Sequence, residues 1–217
     1  MVCIVSIIRY PKWLSFFGIL SMAIFHLPLK VQKNISFYKL MGTGKNGGFD
    51  IQPQWNQWVI LRVIDKGEIG LPQFIQWFLK TFNCTSETFF LKPYSSYGVW
   101  DGKKCFGNLN NKNEPTQTKI AVLTRATIRF SKLNAFWKNV PAVNTNILNS
   151  KGLIYSIGMG EIPLIKQATL SIWENIDAMK SFAYQQKEHV SVIQKTRKED
   201  WYSEEMFTRF EVLENYP

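Results

Sequence analysis

Cysteine and histidine are scarce in this sequence. The three cysteines, Cys3, Cys84 and Cys105, are odd in number and form no C-x-x-C pair. They therefore predict neither a disulfide framework nor a cysteine-based zinc site, and they are typical of a protein from a reducing cytoplasm. The two histidines, His26 and His189, are too few for a catalytic zinc centre built on several imidazoles.

Acidic residues are also few, 16 against 26 lysines and arginines, which gives a formal net charge of +10. This balance favours an anionic partner: a nucleic acid, a lipid surface, a carboxylate-bearing cofactor or an acidic protein. We expect no nucleic acid, because no basic helix or base-stacking motif accompanies the charge. Aromatic residues make up 15% of the chain, and we expect many of them to line a buried apolar pocket.

No uncharged run reaches the roughly 20 residues that span a bilayer. The longest, residues 13–29, lies between Lys12 and Lys30 and contains Pro28, which we expect to break its end. Residues 2–8 before it have the composition of a buried strand, which is not typical of a signal peptide. We therefore expect a helix that packs on its own sheet, with peripheral contact to the inner face of the cytoplasmic membrane as an option.

The sequence contains an internal repeat. Ile8-Arg9-Tyr10-Pro11-Lys12 returns 120 residues later as Ile128-Arg129-Phe130-Ser131-Lys132, and each copy is followed by a pair of aromatic residues. Each half also has a pair of glycines, Gly42-Thr43-Gly44 and Gly158-Met159-Gly160, which we interpret as turns. Hydrophobic periodicity predicts strands at 2–10, 35–41, 55–64, 88–93, 120–130, 153–158, 167–173 and 207–213, and helices at 13–29, 71–82, 132–148 and 176–198.

The predicted order, β-α-β-β-α-β twice, is that of the ferredoxin-like split βαβ unit. Such a unit has helices on one face of its sheet only, so the other face needs a partner. We therefore predict an α+β fold in which tandem ferredoxin-like repeats, residues 1–100 and 119–217, form a pseudo-dimeric α+β barrel. Residues 101–118 are predicted to be a polar, solvated linker, and the whole chain one compact unit around a shared cavity.

Three polar residues are candidates for the chemistry. Arg125 and Thr127 alternate with Thr124, Ala126 and Ile128 on a predicted strand, and a buried guanidinium requires an anion. Arg125 could hold a cofactor carboxylate or polarise dioxygen, or it could pair with Glu161 or another carboxylate. His189 borders the apolar stripe of the last helix, where its imidazole could face the sheet as a ligand or bond to a local carbonyl.

Several strings along nearly the whole chain resemble the spheroidene monooxygenase family, bacterial enzymes that oxygenate carotenoids. Besides Phe182-Ala183 and His189, they are Phe37-Tyr38-Lys39-Leu40-Met41-Gly42-Thr43-Gly44, Leu123-Thr124-Arg125-Ala126-Thr127-Ile128, Ile157-Gly158-Met159-Gly160-Glu161-Ile162-Pro163, Thr169-Leu170-Ser171-Ile172-Trp173 and Trp201-Tyr202-Ser203-Glu204-Glu205-Met206-Phe207-Thr208-Arg209-Phe210.

The resemblance implies an oxygenase that introduces a keto group into an acyclic carotenoid by successive hydroxylations, with haem as cofactor and reduced ferredoxin as electron donor. By analogy with other haem proteins of this barrel architecture, it implies His189 as iron ligand. Arg125 would contact the cofactor, Arg125 and Thr127 would serve catalysis, and Tyr38, Trp58, Tyr155 and Trp173 would line the substrate pocket. The alternatives are a cofactor-free oxygenase of the same barrel class and a non-enzymatic protein that binds haem or another small ligand.

Overall fold

A computed structural model of the chain describes residues 1–45, 50–109, 115, 118–185 and 194–213. In the first half the described elements are β1 (Val2–Arg9), a 3-10 turn (Lys12–Leu14), α1 (Ser15–Ile24), α2 (His26–Val31), β2 (Ile35–Gly44), β3 (Pro53–Ile64), α3 (Gln73–Thr81) and β4 (Thr85–Gly98). In the second half they are β5 (Ile120–Ile128), a 3-10 turn (Phe130–Lys132), α4 (Leu133–Leu148), β6 (Leu153–Ile162), β7 (Lys166–Trp173), α5 (Ile176–Gln185) and β8 (Tyr202–Val212).

The strands close into a barrel in the order β1-β3-β2-β6-β7-β5-β8-β4. Each half contributes a four-stranded antiparallel sheet in which its first strand, β1 or β5, lies between two neighbours and not at an edge. The halves join through two antiparallel pairs, β2 with β6 and β4 with β8. The two residues related by the repeat offset of 120, Ile8 and Ile128, lie near the end of β1 and at the end of β5. The predicted fold class, tandem ferredoxin-like repeats forming an α+β barrel, is confirmed.

Alternate residues of the strands face the barrel interior and build one core from both halves. We call this set the interior core; its buried members include Val5, Leu61, Leu123, Leu170 and Phe210. The opposite sheet faces are covered by the helices, with Phe25 and Phe78 over the first half and Met179 and Phe182 over the second.

Three local predictions were wrong. Gly42-Thr43-Gly44 and Gly158-Met159-Gly160 are not turns but parts of β2 and β6, where Gly42 is paired with Gly160. Pro28 does not end its helix, because a break at Phe25 places Pro28 in the first turn of α2, where proline is tolerated. In the predicted solvated linker, Phe106 is fully buried in the interior core.

Candidate functional site

Arg125 lies inside the barrel. Arg125 and Thr127 lie two and four residues beyond Leu123 on β5, and therefore on the same face as Ala121 and Leu123 of the interior core. Strand geometry thus directs both side chains to the interior. Only 1% of the Arg125 side chain is exposed. An arginine this deeply buried requires anionic partners, because an isolated charge in an apolar core is very costly.

Three carboxylates surround the Arg125 guanidinium. Its Nη1 forms an ion pair with Glu204, its Nη2 is 3.2 Å from Asp101 Oδ1, and its Nε is 4.0 Å from Glu161 Oε1. The guanidinium carbon also lies 5.7 Å from the centre of the Trp100 ring, within range for a cation–π interaction. The alternative in which Arg125 pairs with Glu161 or another carboxylate is therefore confirmed.

Two lysines complete this arrangement. Lys39 Nζ is 2.5 Å from Glu161 Oε2 and also pairs with Asp101, while Lys166 Nζ is 2.7 Å from Asp101 Oδ1. The resulting ion cluster, Lys39, Asp101, Arg125, Glu161, Lys166 and Glu204, contains three cations and three carboxylates. The three carboxylates that already surround the Arg125 guanidinium would repel a further carboxylate brought to it.

The cluster favours the charged forms of Asp101, Glu204 and Lys39. Burial acts to raise the pKa of Asp101, but hydrogen bonds from Lys166 and Lys39 outweigh it and lower this pKa to about 2. Burial likewise opposes ionisation of Glu204, yet the backbone N–H groups of Gly102 and Asp101, with Arg125, lower its pKa. The pKa of Lys39 is raised, because bonds to Asp101 and Glu161 exceed the effect of its burial. Near neutral pH, Asp101 and Glu204 can therefore accept hydrogen bonds but cannot act as general acids.

The ion cluster also anchors the loop between β4 and β5. Glu204 accepts hydrogen bonds from the backbone N–H groups of Asp101 and Gly102, at 2.9 and 2.7 Å. Trp100 Nε1 donates to Glu161 Oε1 at 2.7 Å. Trp100 and Phe106 are fully buried in the interior core, so residues 100–106 contribute to the core next to the ion cluster.

Four cluster members belong to the strings that carry the family resemblance. Lys39, Arg125, Glu161 and Glu204 each come from a different string, and the fold brings all four together. Sequence reasoning did not identify Lys39, Lys166 and Glu204, although each is a charged residue at an inward position of a strand, which is a readable signal. It missed Asp101 because a loop residue has no such periodicity.

Thr127 lies next to the cluster. It is half-buried at the end of β5, opposite Lys166 of β7 and Glu204 of β8 in the strand register. Its backbone carbonyl accepts a hydrogen bond from Ser203 Oγ at 3.3 Å. The catalytic role that we predicted for Thr127 stays a prediction.

The four predicted pocket residues do not share one pocket. Tyr38 and Trp58 lie on the outer face of the first sheet, where the Tyr38 hydroxyl is 3.2 Å from His26 Nδ1. Trp173 lies on the outer face of the second sheet and stacks on Phe182 of α5, with ring centres 5.2 Å apart. The grouping was wrong because aromatic content does not reveal which face of a strand a side chain occupies.

Only Tyr155 of the four packs against the interior core, where its ring centre is 5.0 Å from that of Phe89. Burial raises the pKa of its phenol to about 12, so the hydroxyl is a neutral hydrogen-bond donor at physiological pH. Arg9 and Glu87, which form an ion pair at 3.2 Å, act on this pKa in opposite directions: Glu87 raises it and Arg9 lowers it.

The interior that we expected to be a roomy apolar chamber is occupied by side chains. Met41, Met159, Met206 and Phe210 fill it from the strands, and Trp100 and Phe106 enter from the loop. Large flexible and aromatic side chains therefore take the space that sequence reasoning assigned to a ligand.

A groove runs instead along the seam where β2 meets β6. It has a volume of about 80 Å³, and its lining includes Gly42, Gly44, Gly158, Gly160, Trp137 and Leu164. Gly42 faces the helix-covered side of the sheet, because a Cβ atom there would point at Trp58. With no side chains at the glycines, the floor is bare backbone that a flat apolar group could approach closely.

His189, our predicted metal ligand, lies outside the described residues, as do residues 186–193 around it. In the part of the chain that the structure describes, no group of three or more His, Cys, Asp and Glu side chains is placed to hold a metal ion. His26 is exposed and contacts Tyr38. Burial raises the pKa of the Cys105 thiol to about 12, which disfavours a thiolate ligand.

Solved structures with the same fold define the class of protein. Aldoxime dehydratase OxdRE, in complex with butyraldoxime, superimposes with a TM-score of 0.65 over 98% of this chain and 79% of its own, at 7% identity. A second aldoxime dehydratase gives a TM-score of 0.55 over 97% of this chain and 80% of its own, also at 7% identity. At such low identity the likeness shows the fold alone: an α+β barrel made by one chain.

Relatives found by sequence identify the family, which the solved structures do not. Spheroidene monooxygenase of Rhodobacter capsulatus is 32% identical over 192 residues, which cover 86% of this chain and 79% of the relative. The enzyme of Cereibacter sphaeroides is 35% identical over 82% of this chain and 56% of the relative. The enzyme of Rubrivivax gelatinosus is 32% identical over 80% of this chain and 67% of the relative. A scan against models of protein families found no match. The chain belongs to the spheroidene monooxygenase family.

Proposed function

We propose that this chain is a monooxygenase that oxidises a carotenoid or a similar apolar polyene. The observation that carries the proposal is its 32–35% identity to three spheroidene monooxygenases over most of its length. In each turnover one atom of O₂ enters an allylic C–H bond and the other leaves as water. Two electrons and two protons complete the balance. A second hydroxylation at the same carbon, followed by loss of water, would give a ketone.

Reduced ferredoxin is the proposed source of the electrons, and haem the proposed cofactor, which would bind and activate dioxygen. His189 is the proposed iron ligand, because the other histidine is exposed beside Tyr38 and the Cys105 thiol stays protonated. Arg125 faces the barrel interior, where three carboxylates surround its guanidinium. The cofactor contact that we predicted for Arg125 stays a prediction.

The groove at the β2–β6 seam is our candidate for the place where the polyene contacts the protein. It lies on the helix-covered side of the sheet, which is also the side on which α5 runs. Its glycine floor and the walls formed by Trp137 and Leu164 could contact one segment of a flat, apolar chain, since the volume of about 80 Å³ is too small to enclose a whole polyene. The filled barrel interior does not suit one.

An absorption spectrum and a turnover assay test the proposal together. The freshly purified protein should show a Soret band that shifts with carbon monoxide after reduction. His189→Ala should lose this band, while His26→Ala, the matched control, should retain it. With reduced ferredoxin, an acyclic carotenoid and ¹⁸O₂, the product should carry ¹⁸O.

The alternatives give different results. Turnover by a colourless protein that cannot be reconstituted with haemin would support a cofactor-free oxygenase. Tight binding of haem or carotenoid without turnover would support a non-enzymatic binding protein. Either outcome would overturn the haem monooxygenase.

A further inference from the structure

The helices of the first half carry a second apolar face, on the side away from the sheet. From the 3-10 turn through α2, exposed apolar residues recur every three or four positions. They form an apolar stripe of Trp13, Phe16, Leu20, Ala23 and Leu27. Trp13 is 83% and Phe16 69% exposed. A surface helix normally places charged or polar residues on this side.

The stripe is not the core-facing side of these helices. The core-facing side consists of other residues, all of them buried: Leu14, Gly18, Ser21, Phe25 and Leu29. Packing on the sheet therefore does not account for the stripe. Exposed apolar residues on both neighbouring helices require a different explanation, because contiguous apolar patches on soluble proteins mark contact surfaces.

Helix α3 extends the stripe sideways. Its exposed Phe74 and Trp77 have ring centres 5.9 Å apart, and Phe74 also contacts the ring of Phe25 at 6.5 Å. Phe74 thus borders the first helices through the buried ring of Phe25. We use the name outer apolar face for the apolar stripe together with the exposed Phe74 and Trp77.

Lysines border this face. Lys12, Lys30, Lys33 and Lys80 are exposed at the ends of the helical segments. The sequence has no acidic residue before Asp50, whereas six lysines and arginines precede it. Apolar residues flanked by lysine and tryptophan are the composition of helices that lie in the interface of an anionic membrane.

We propose that the outer apolar face docks on the surface of a bilayer that contains anionic lipid, with α1, α2 and α3 lying in the membrane plane. This inference does not depend on the reaction that the protein catalyses. A second copy of the chain is a less suitable occupant, because a twofold contact would bring the same lysines of both copies together.

Insertion across the bilayer is not favoured. The segment Lys12–Val31 is long and apolar enough to cross by length and composition. However, β1 ends at Arg9 in the barrel, immediately before it, and Phe25 and Leu29 are part of the packing between helix and sheet. A crossing would expose that packed surface, whereas docking in the plane keeps it.

Vesicle co-sedimentation of the full chain tests the apolar contribution. The protein should bind vesicles of phosphatidylcholine with phosphatidylglycerol at low salt. The double variant Trp13→Ser/Phe16→Ser should bind about tenfold less tightly. Its matched control, Tyr97→Ser/Phe130→Ser, removes two aromatic residues that are 71% and 82% exposed outside this face and should bind like the parent. Circular dichroism would verify that all variants are folded.

A lysine series tests the electrostatic contribution. Lys12→Gln/Lys30→Gln/Lys33→Gln should weaken binding to anionic vesicles by about tenfold at low salt and leave the weak binding to pure phosphatidylcholine unchanged. Lys138→Gln/Lys151→Gln/Lys198→Gln, which removes three exposed lysines of the second half, should have a smaller effect.

Three outcomes would overturn the proposal. They are no binding of the parent protein to anionic vesicles, equal binding by the Trp13/Phe16 variant, and a dimer in solution that this variant converts to a monomer without any vesicle binding. The last would assign the face to a second copy.

Discussion

At the scale of single residues, Arg125 shows how a charge becomes part of a core. It cannot contact bulk water, so its guanidinium is stable only because Glu204, Asp101 and Glu161 surround it. The same contacts fix the loop that carries Trp100 and Phe106, so electrostatic pairing and apolar burial support each other. The cluster is in this sense a structural unit that joins five strands and a loop.

Replacing Arg125 with methionine should be strongly destabilising. The Arg125→Met variant removes the cation from beside Glu204 and Glu161, which are half-buried, and we expect the free energy of unfolding to fall by about 2–3 kcal/mol. Arg129→Met is the matched control, because Arg129 pairs with Asp200 at 3.0 Å on the surface, and it should cost at most about 1 kcal/mol. Urea unfolding measures both; similar losses would contradict a special role of the ion cluster.

At the scale of elements, the order of strands and helices was predictable because each has its own hydrophobic period. What could not be predicted was decided by distant partners. Gly42-Thr43-Gly44 has the local composition of a turn, yet it continues β2 because β6, more than 100 residues later, offers Gly160 and Met159 for pairing. Asp101 was assigned to a linker for the same reason: its partners Lys39, Arg125 and Lys166 are remote in sequence.

The seam offers a matched pair of substitutions. A Cβ atom at Gly160 would lie 3.0 Å from the Lys166 carbonyl oxygen and 3.0 Å from Gln167 Nε2, whereas one at Gly42 would lie 3.4 Å from the edge of Trp58. Gly160→Ala should therefore lower the free energy of unfolding by about 1–3 kcal/mol. Gly42→Ala should leave it within about 0.5 kcal/mol. Thermal and urea unfolding of both variants would measure the difference, and equal stabilities would show that the seam can relax at Gly160.

At the scale of the whole molecule, duplication has produced two halves that share one interior core. Leu61 of the first half and Leu170 of the second are buried in the same set of side chains, and the sheets are hydrogen-bonded to each other at both seams. Neither half can keep its inner face away from water without the other. From the sequence we predicted one compact unit for this reason: a ferredoxin-like sheet has helices on one side only, so its other side needs a second sheet.

The two halves should therefore unfold together. Separation would expose Val5, Leu61, Leu123 and Leu170 at once, so an intermediate with one folded half is expected to be too unstable to accumulate. Urea curves from far-ultraviolet circular dichroism, which reports helices of both halves, and from tryptophan fluorescence should coincide. The calorimetric and van't Hoff enthalpies should also agree. Two separated transitions would instead mean that each half has a core of its own, beneath its helices, that is sufficient for folding.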